Sequence, residues 1–275
     1  MRADQLLVER GLAVSRAQAQ RLIAAGVRWR AGLGEVGWRT VRKNGDALPP
    51  AAEILLSDAA ELRYVSRGGL KLEGALQSAG IQVAGLRCLD VGQSTGGFTD
   101  CLLQHDAASV IGVDVGHGQL HARLRADPRV RCIEGVNART LDAHDLIADN
   151  VDTTSAKCGF SSGFELIVGD LSFISLTLVL PGLVPLLAAD GALLLLVKPQ
   201  FELQPAQIGK GGIVRDAALY EQVEQRLRGA AAANGLAVRD WFDSPIRGGD
   251  GNREFFLHAT RAMSITGAPP TAVQP

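Results

Sequence analysis

Cys88-Leu-Asp90-Val-Gly92-Gln-Ser94-Thr95-Gly96-Gly97-Phe98-Thr99-Asp100, continued at Val110-Ile-Gly-Val-Asp114, is the stretch that decides the fold. Leu86 to Val91 is short, apolar and suited to a buried strand. Gly92, Gly96 and Gly97 let the backbone turn tightly and come close to a ligand. The spacing predicts a helix from about Phe98, whose first turn offers unpaired N–H groups to an anion. Val110 to Val113 is a second buried strand, and Asp114 stands at its tip, 22 residues after Gly92. In a βαβ unit a carboxylate at that distance can accept the hydroxyls of a ribose.

A glycine turn by itself says little. The dinucleotide fingerprint is G-x-G-x-x-G, whereas here the order is Gly92-x-x-x-Gly96-Gly97. The plain alternative is a βα turn without a ligand, but the glycines and both acids stand where a nucleoside needs them. Asp90-x-Gly92 with Ser94, Thr95 and Phe98 resembles the first motif of S-adenosylmethionine methyltransferases. The resemblance implies S-adenosylmethionine as cofactor. Its methionine part would be held by Asp90, Gly92, Ser94, Thr95, Gly96, Gly97, Phe98 and Thr99, and its ribose by Asp114. Glu134 and Asn137, at the end of a third strand from Val130 to Ile133, would stand near the adenine. Gln93 fills a turn position where that family more often has a small residue.

The chain of 275 residues has room for a small domain and one of ordinary size, and 47% apolar residues suffice for a packed core. Aromatic residues make up only 5%, so stacking platforms are few. The net charge of −1 is unevenly spread: residues 1–50 hold nine Lys/Arg against four acids. A basic piece on a mildly acidic body suggests an appendage that binds a polyanion. Cys88, Cys101, Cys132 and Cys158 have no metal-ligand spacing, so no metal is expected. Their isolation fits a reducing cytoplasm. Charged residues directly after Met1 argue against a signal peptide. Leu176 to Val197 is long and apolar enough to suggest a membrane span, but Pro181, Pro185 and Asp190-Gly191 break it. A buried helix to about Ala188, a turn at Asp190-Gly191 and a strand from Ala192 account for it better, and no stable membrane association is expected.

In residues 1–60, Asp4 is placed to cap a first helix and Ser15 a second, Arg16 to Ala25, with Ala19, Leu22 and Ile23 on one face. The pattern Arg2-x-Asp4-x-Leu6-Leu7-x-x-Arg10-Gly11, then Ser15-Arg16-x-x-Ala19-x-x-Leu22-Ile23-x-x-Gly26-Val27, resembles the S4 domain, an RNA-binding module. The resemblance implies that the second helix and the turn after it present Arg16, Gln20, Arg21 and Arg28 to structured RNA. Arg2 of the first motif and Arg67 of the junction join these candidates. Basic side chains on a rigid helix suit phosphates and RNA shape more than base sequence. Trp29, Trp38 and Gly32-Leu33-Gly34 make the β part less regular than the usual module.

Residues 57–66 read as a junction, with Asp58 to Glu61 helical and Tyr64-Val65 extended, and the domain division sets residues 61–70 as the linker that gives way to an amphipathic helix. Residues 71–262 read as a Rossmann-like methyltransferase sheet closed by an antiparallel hairpin, Leu236 to Phe242 with Glu254 to Thr260. Residues 149–163 form a polar insertion without a motif, and 263–275 an Ala/Pro/Thr-rich tail expected to be disordered. In an open α/β sheet, ligands collect at the carboxyl ends of the strands. Asp170, Lys198 and Glu254 all fall on that edge, and Lys71 can reach it from the helix before the first strand.

A Lys71-Asp170-Lys198-Glu254 set at these positions resembles the RrmJ/FtsJ class of ribose 2′-O-methyltransferases. Ser66-Arg67-Gly68-Gly69-x-Lys71, Gly169-Asp170-x-Ser172-Phe173-Ile174-Ser175, Val197-Lys198-Pro199-Gln200-Phe201-Glu202, Gly209-Lys210-Gly211-Gly212 and Gly251-Asn252-Arg253-Glu254-Phe255, behind an S4-like unit, are similar to the TlyA (hemolysin A-type) ribosomal RNA methyltransferases. This implies methylation of a ribose 2′-oxygen, of cytidine, in ribosomal RNA or ribosomal subunits. Lys198 would be the base or activator, Lys71 its tuning partner, Asp170 and Glu254 orienters, with Asp170 also near the methyl group. Burial and a second lysine both lower a lysine's pKa, as a base requires. Two other classes compete: an RNA- or ribosome-binding assembly factor with little turnover, and a membrane-active cytolysin, for which no pore-forming segment is visible.

Overall fold

The computed structural model describes residues 1–13, 15–32, 37–56, 63–147 and 163–262. The expected helix at Asp58 to Glu61, nearly all of the insertion and the tail lie outside the described residues.

The N-terminal part has its own sheet and its own core. Helices α1 (Ala3–Glu9) and α2 (Arg16–Gly26) pack beside strands β1 (Val27–Arg30), β2 (Arg39–Thr40) and β3 (Glu53–Leu56), in the order β2-β1-β3, all antiparallel. Leu6, Leu7, Ala19, Leu22, Ile23 and Val27 form the buried centre. Ser15 caps α2 as expected, accepting the N–H of Gln18. Asp4 does not cap α1. The helix begins two residues earlier, because Arg2 is held by a β-bridge to Ala47 and the Ala3 N–H by the Asp46 carbonyl, so Asp4 falls inside the first turn and is buried.

The larger part is a seven-stranded sheet. Its strands are β4 (Arg87–Val91), β5 (Ser109–Asp114), β6 (Val130–Glu134), β7 (Phe164–Gly169), β8 (Leu187–Val197), β9 (Leu236–Asp243) and β10 (Phe255–Arg261), in the order β6-β5-β4-β7-β8-β10-β9. The first five of that order run parallel, and β10 lies antiparallel between β8 and β9. Both faces are covered, as the unbroken apolar run of β8 demands. Leu193, Leu195 and Val197 point to one core, with α7 (Leu176–Leu183) and α9 (Ala218–Ala233) over it. Leu194 and Leu196 point to the other, under α3 (Gly68–Ala79) and α4 (Gly97–Gln104). Between these elements lie the short helices α5 (Ala122–Arg125), α6 (Ala143–Ile147) and α8 (Pro199–Glu202).

Two expectations need correction. Asp190-Gly191 does not separate a helix from a strand. The helix ends at Leu183, and β8 runs from Leu187 through Asp190-Gly191 as a bulge, with Phe164 opposite Leu187 and Leu166 already opposite Ala192. The turn residues are real, but they kink an edge-exposed start of a strand instead of preceding it. The junction also ends before residue 70: α3 starts at Gly68, and Tyr64 and Val65 form a bend packed on the α3–α4 core. A side chain at Gly69 would fall 2.2 Å from the Tyr64 ring, which explains the glycine pair at this docking point.

Candidate active site

The glycine turn folds as the sequence suggests. Gly92 has φ +84° and Gly96 φ +93°, conformations that favour glycine. A Cβ at Gly92 would stand 2.8 Å from the Asp170 carbonyl, so the ends of β4 and β7 can close together only with glycine there. Beneath the turn lies a buried chain of hydrogen bonds. Gln93 Nε2 donates to Thr99 Oγ1 at 2.8 Å, and Thr99 Oγ1 donates to Asp90 Oδ2 at 2.7 Å. Burial pushes the Asp90 carboxyl up to about 7, the Thr99 hydrogen bond opposing the shift and the nearby Asp170 and Asp114 charges adding to it. Asp90 and Thr99 therefore shape the turn from below. Gln93 also turns inward: a Cβ on Gly112 of β5 would meet its amide at 2.0 Å. The unusual residue at this turn position fills space that Gly112 leaves, while the residue itself still borders the cleft.

Above the turn, two connected cavities follow the carboxyl edge of the sheet. One, of about 240 Å³, is lined by Gly92, Ser94, Thr95, Gly97 and Phe98 together with Asp170, Ser172 and Lys198. The other, of about 500 Å³, runs past Asp114, Gln119 and Asn137 to Asp170–Ile174. Asp114 Oδ2 accepts the Ser94 N–H and Oδ1 the Gly116 N–H, both at 2.7 Å. The carboxylate is thus fixed at the cleft wall with lone pairs left for hydroxyl donors. Glu134 does not line the cleft. Its Oε1 accepts the Gly118 N–H and pairs with Arg125 at 2.5 Å.

The four residues expected to carry chemistry come together as two pairs. Lys71 Nζ lies 2.6 Å from Glu254 Oε2, both side chains buried. Lys198 Nζ lies 2.5 Å from Asp170 Oδ1 and donates to Ser172 Oγ at 2.9 Å. Glu254 also feels the Lys198 and Asp170 charges, so the pairs are neighbours. Burial drives its carboxyl upward, and the two lysines pull it back. Ser172 is a site residue that sequence reasoning quoted within a motif but did not select. Gln119, whose Oε1 accepts the Ser94 hydroxyl at 3.1 Å, was passed over as well. Single polar residues in loops carry no periodic signal, and only the fold brings these two to the cleft.

Behind the lysine, Glu202 of α8 reaches across to the β7 loop. It accepts the Ser175 hydroxyl at 2.5 Å and the Leu176 N–H at 2.7 Å, tying the loop of Lys198 to the loop of Asp170. Beyond it Phe173, with φ +63° and 90% exposed, projects at the rim with its ring 5.0 Å from that of Phe201.

Residues 64–261 match the family model for FtsJ-like methyltransferases. The chain belongs to the FtsJ-like methyltransferase family. Among the relatives of this methyltransferase is the 16S/23S rRNA (cytidine-2′-O)-methyltransferase TlyA of Mycobacterium tuberculosis, 42% identical over 97% of this chain and 93% of that one. Hemolysin A of Brachyspira hyodysenteriae is 36% identical over 94% of this chain and 99% of that one. A solved structure from Streptococcus thermophilus, described as a candidate hemolysin, superposes with a TM-score of 0.69 at 38% identity, covering 95% of this chain and 88% of that one. An FtsJ-like methyltransferase takes its methyl group from S-adenosylmethionine. The cleft fits that donor: a glycine cradle that a Cβ would fill, a fixed carboxylate at the ribose distance, and cavity walls that change from polar to apolar toward Val113, Val136 and Ile174. Gly92, Ser94, Thr95, Gly97 and Phe98 border the end that suits the methionine part, and Asp114 and Asn137 the nucleoside end.

The RNA-binding candidates of the methyltransferase do not form one patch. Arg2, Arg16 and Gln20 converge on the Asp4 carboxylate, while Arg28 is exposed on β1 and Arg21 half-buried on α2. Arg67 sits at the start of α3, where its guanidinium donates to the Arg247 carbonyl at 2.8 Å. Among the described residues no helix is long and apolar enough to cross a membrane, and no His/Cys/Asp/Glu group could hold a metal ion.

Proposed function

We propose that this methyltransferase methylates the ribose 2′-oxygen of a cytidine in ribosomal RNA, with an S4-like N-terminal unit that grips the RNA. The observation that carries the reading is the Lys198–Asp170 pair opening into the same cavity as the glycine turn. It puts a basic nitrogen beside the place where a bound cofactor would present its methyl. The names of relatives covering over nine-tenths of the chain support the substrate class.

S-adenosylmethionine, when bound, supplies the methyl group as a sulfonium. Everything else falls to the chain. A ribose hydroxyl is a poor nucleophile until it is held in line and its proton has somewhere to go. Lys198 Nζ takes that part at the 2′-oxygen. Asp170 and Ser172 hold the nitrogen in place, and the buried Lys71–Glu254 pair stands beside it. Glu202 keeps the two loops in register. Asp114 and the turn fix the donor side, so approach of the two reactants is set by rigid strand ends.

The experiment is methyl transfer from labelled S-adenosylmethionine to unmodified ribosomal subunits, followed by nucleoside analysis. Label is expected in 2′-O-methylcytidine and is lost in Lys198→Ala. Label on a base would sink the assignment of the four residues. No label with the cofactor still bound would favour an assembly factor over an enzyme.

A further inference from the structure

A heavily engaged carboxylate outside the cleft belongs to Asp4. Its side chain is fully buried, yet it sits at the margin of a small core that an apolar residue would fill at lower cost. Arg2 Nε and Nη2 donate to its two oxygens at 3.0 Å each, Arg16 Nη2 donates at 3.0 Å, and Gln20 Nε2 at 3.5 Å. These donors hold its carboxyl far below the usual carboxylate range. Its backbone N–H donates to the Asn44 carbonyl, so the basic turn with Arg42 and Lys43 is docked beside the cluster. The arginine side chains remain about half exposed, at 47% and 56%.

A guanidinium carries five N–H donors in a planar fork. Those turned to Asp4 fix the plane, and those turned outward keep their geometry for a phosphate. Long side chains held in advance lose less freedom on binding. On the reading that the N-terminal unit grips RNA, we propose that Asp4 is a positioning residue that sets Arg2, Arg16 and Gln20 as one rigid donor surface for the phosphates of structured RNA.

The sign of the effect makes the idea testable. Asp4→Asn removes a negative charge from an RNA-facing unit. If charge alone mattered, affinity for RNA would rise. If Asp4 positions the arginines, affinity falls, by about tenfold for donors that must be ordered again. Binding of the full-length protein to unmodified ribosomal subunits is measured across a salt series, with cofactor affinity and circular dichroism recorded for each variant. In an Arg2→Met/Arg16→Met background, Asp4→Asn is expected to change affinity little, since it acts through those side chains. Equal or tighter binding by Asp4→Asn, or the same loss in both backgrounds, overturns the proposal. Should Asp4→Asn melt the unit, Arg16→Lys asks the same question, because it keeps the charge and loses the fork: weaker binding supports the proposal and unchanged binding overturns it. If the unaltered protein fails to bind subunits at all, the RNA-binding reading falls first and carries this one with it.

Discussion

Both parts of the molecule bury carboxylates against cations, and they do it in opposite ways. Around Asp4 the acid is buried and its arginines stand half in water. At the cleft, Lys71 is buried with its acid, and the Lys198 side chain is only 12% exposed. An arginine never gives up its proton, so pairing one with a buried acid can only aim it. In the Lys71–Glu254 pair both partners are withdrawn from water, so each fixes the other and removal of either strands a buried charge. The difference teaches that a salt bridge is read from which partner is desolvated.

The comparison breaks most visibly at Lys198. Lys198→Ala is expected to reduce methyl transfer by about 10²–10⁴, the range for a positioned acid–base group, with cofactor affinity little changed. A single-turnover assay with calorimetric binding checks both halves. Next comes the closed pair. Lys71→Met strands Glu254 in a dry site and should cost about 3–5 kcal/mol of stability, as removal of one partner of a buried ion pair does. Lys71→Met with Glu254→Leu should recover most of that in denaturant titration while activity stays lost. A fully active double variant would deny the pair any part in the chemistry.

A third test sharpens the contrast through pH. The Asp90 carboxyl stands near 7 in the folded protein. A raised acid binds its proton more tightly when folded, so its contribution is full below the unfolded value near 4 and is lost as pH climbs toward 7. Stability should therefore slope downward over that window, by at most about 1.4 kcal/mol per pH unit for one proton, and Asp90→Asn should flatten this part of the curve. Glu254 slopes in the same direction, so the comparison is between variant and parent. The smallest effect belongs to the exposed arginines: Arg16→Gln should change stability by less than about 1 kcal/mol. It should still lower the salt slope of RNA binding by roughly one unit if Arg16 meets a phosphate.

The sheet edge was readable because buried parallel strands announce themselves as short apolar runs, and the residues after them are ligand candidates by position. Asp170 and Lys198 follow such runs directly, Glu254 precedes an antiparallel one, and Lys71 comes from the helix ahead of the sheet; the structure brings the four side chains together as two pairs. What escaped was direction. Gln93 stands out in sequence only as larger than the usual residue at that turn position, and only the gap over Gly112 shows that it points down. Asp4 has the right residue type for a cap but sits two positions too late, because the start of α1 is set by pairing with residues some forty positions on, at Asp46 and Ala47. Asp190-Gly191 carries a genuine turn signal, and local sequence does not distinguish a turn between elements from a bulge within one.

The strand order has a consequence in time. α1, α2 and the small sheet close on themselves within the first 56 residues, and pairings so near in sequence form early. The lysine of α3 must wait for Glu254 just ahead of β10, and the contact between Arg67 and Arg247 spans 180 residues. During synthesis, then, the N-terminal unit can be complete while the cleft is unfinished. A chain interrupted before β10 would leave β9 without its partner and Lys71 without its acid, a folded N-terminal unit joined to an open sheet.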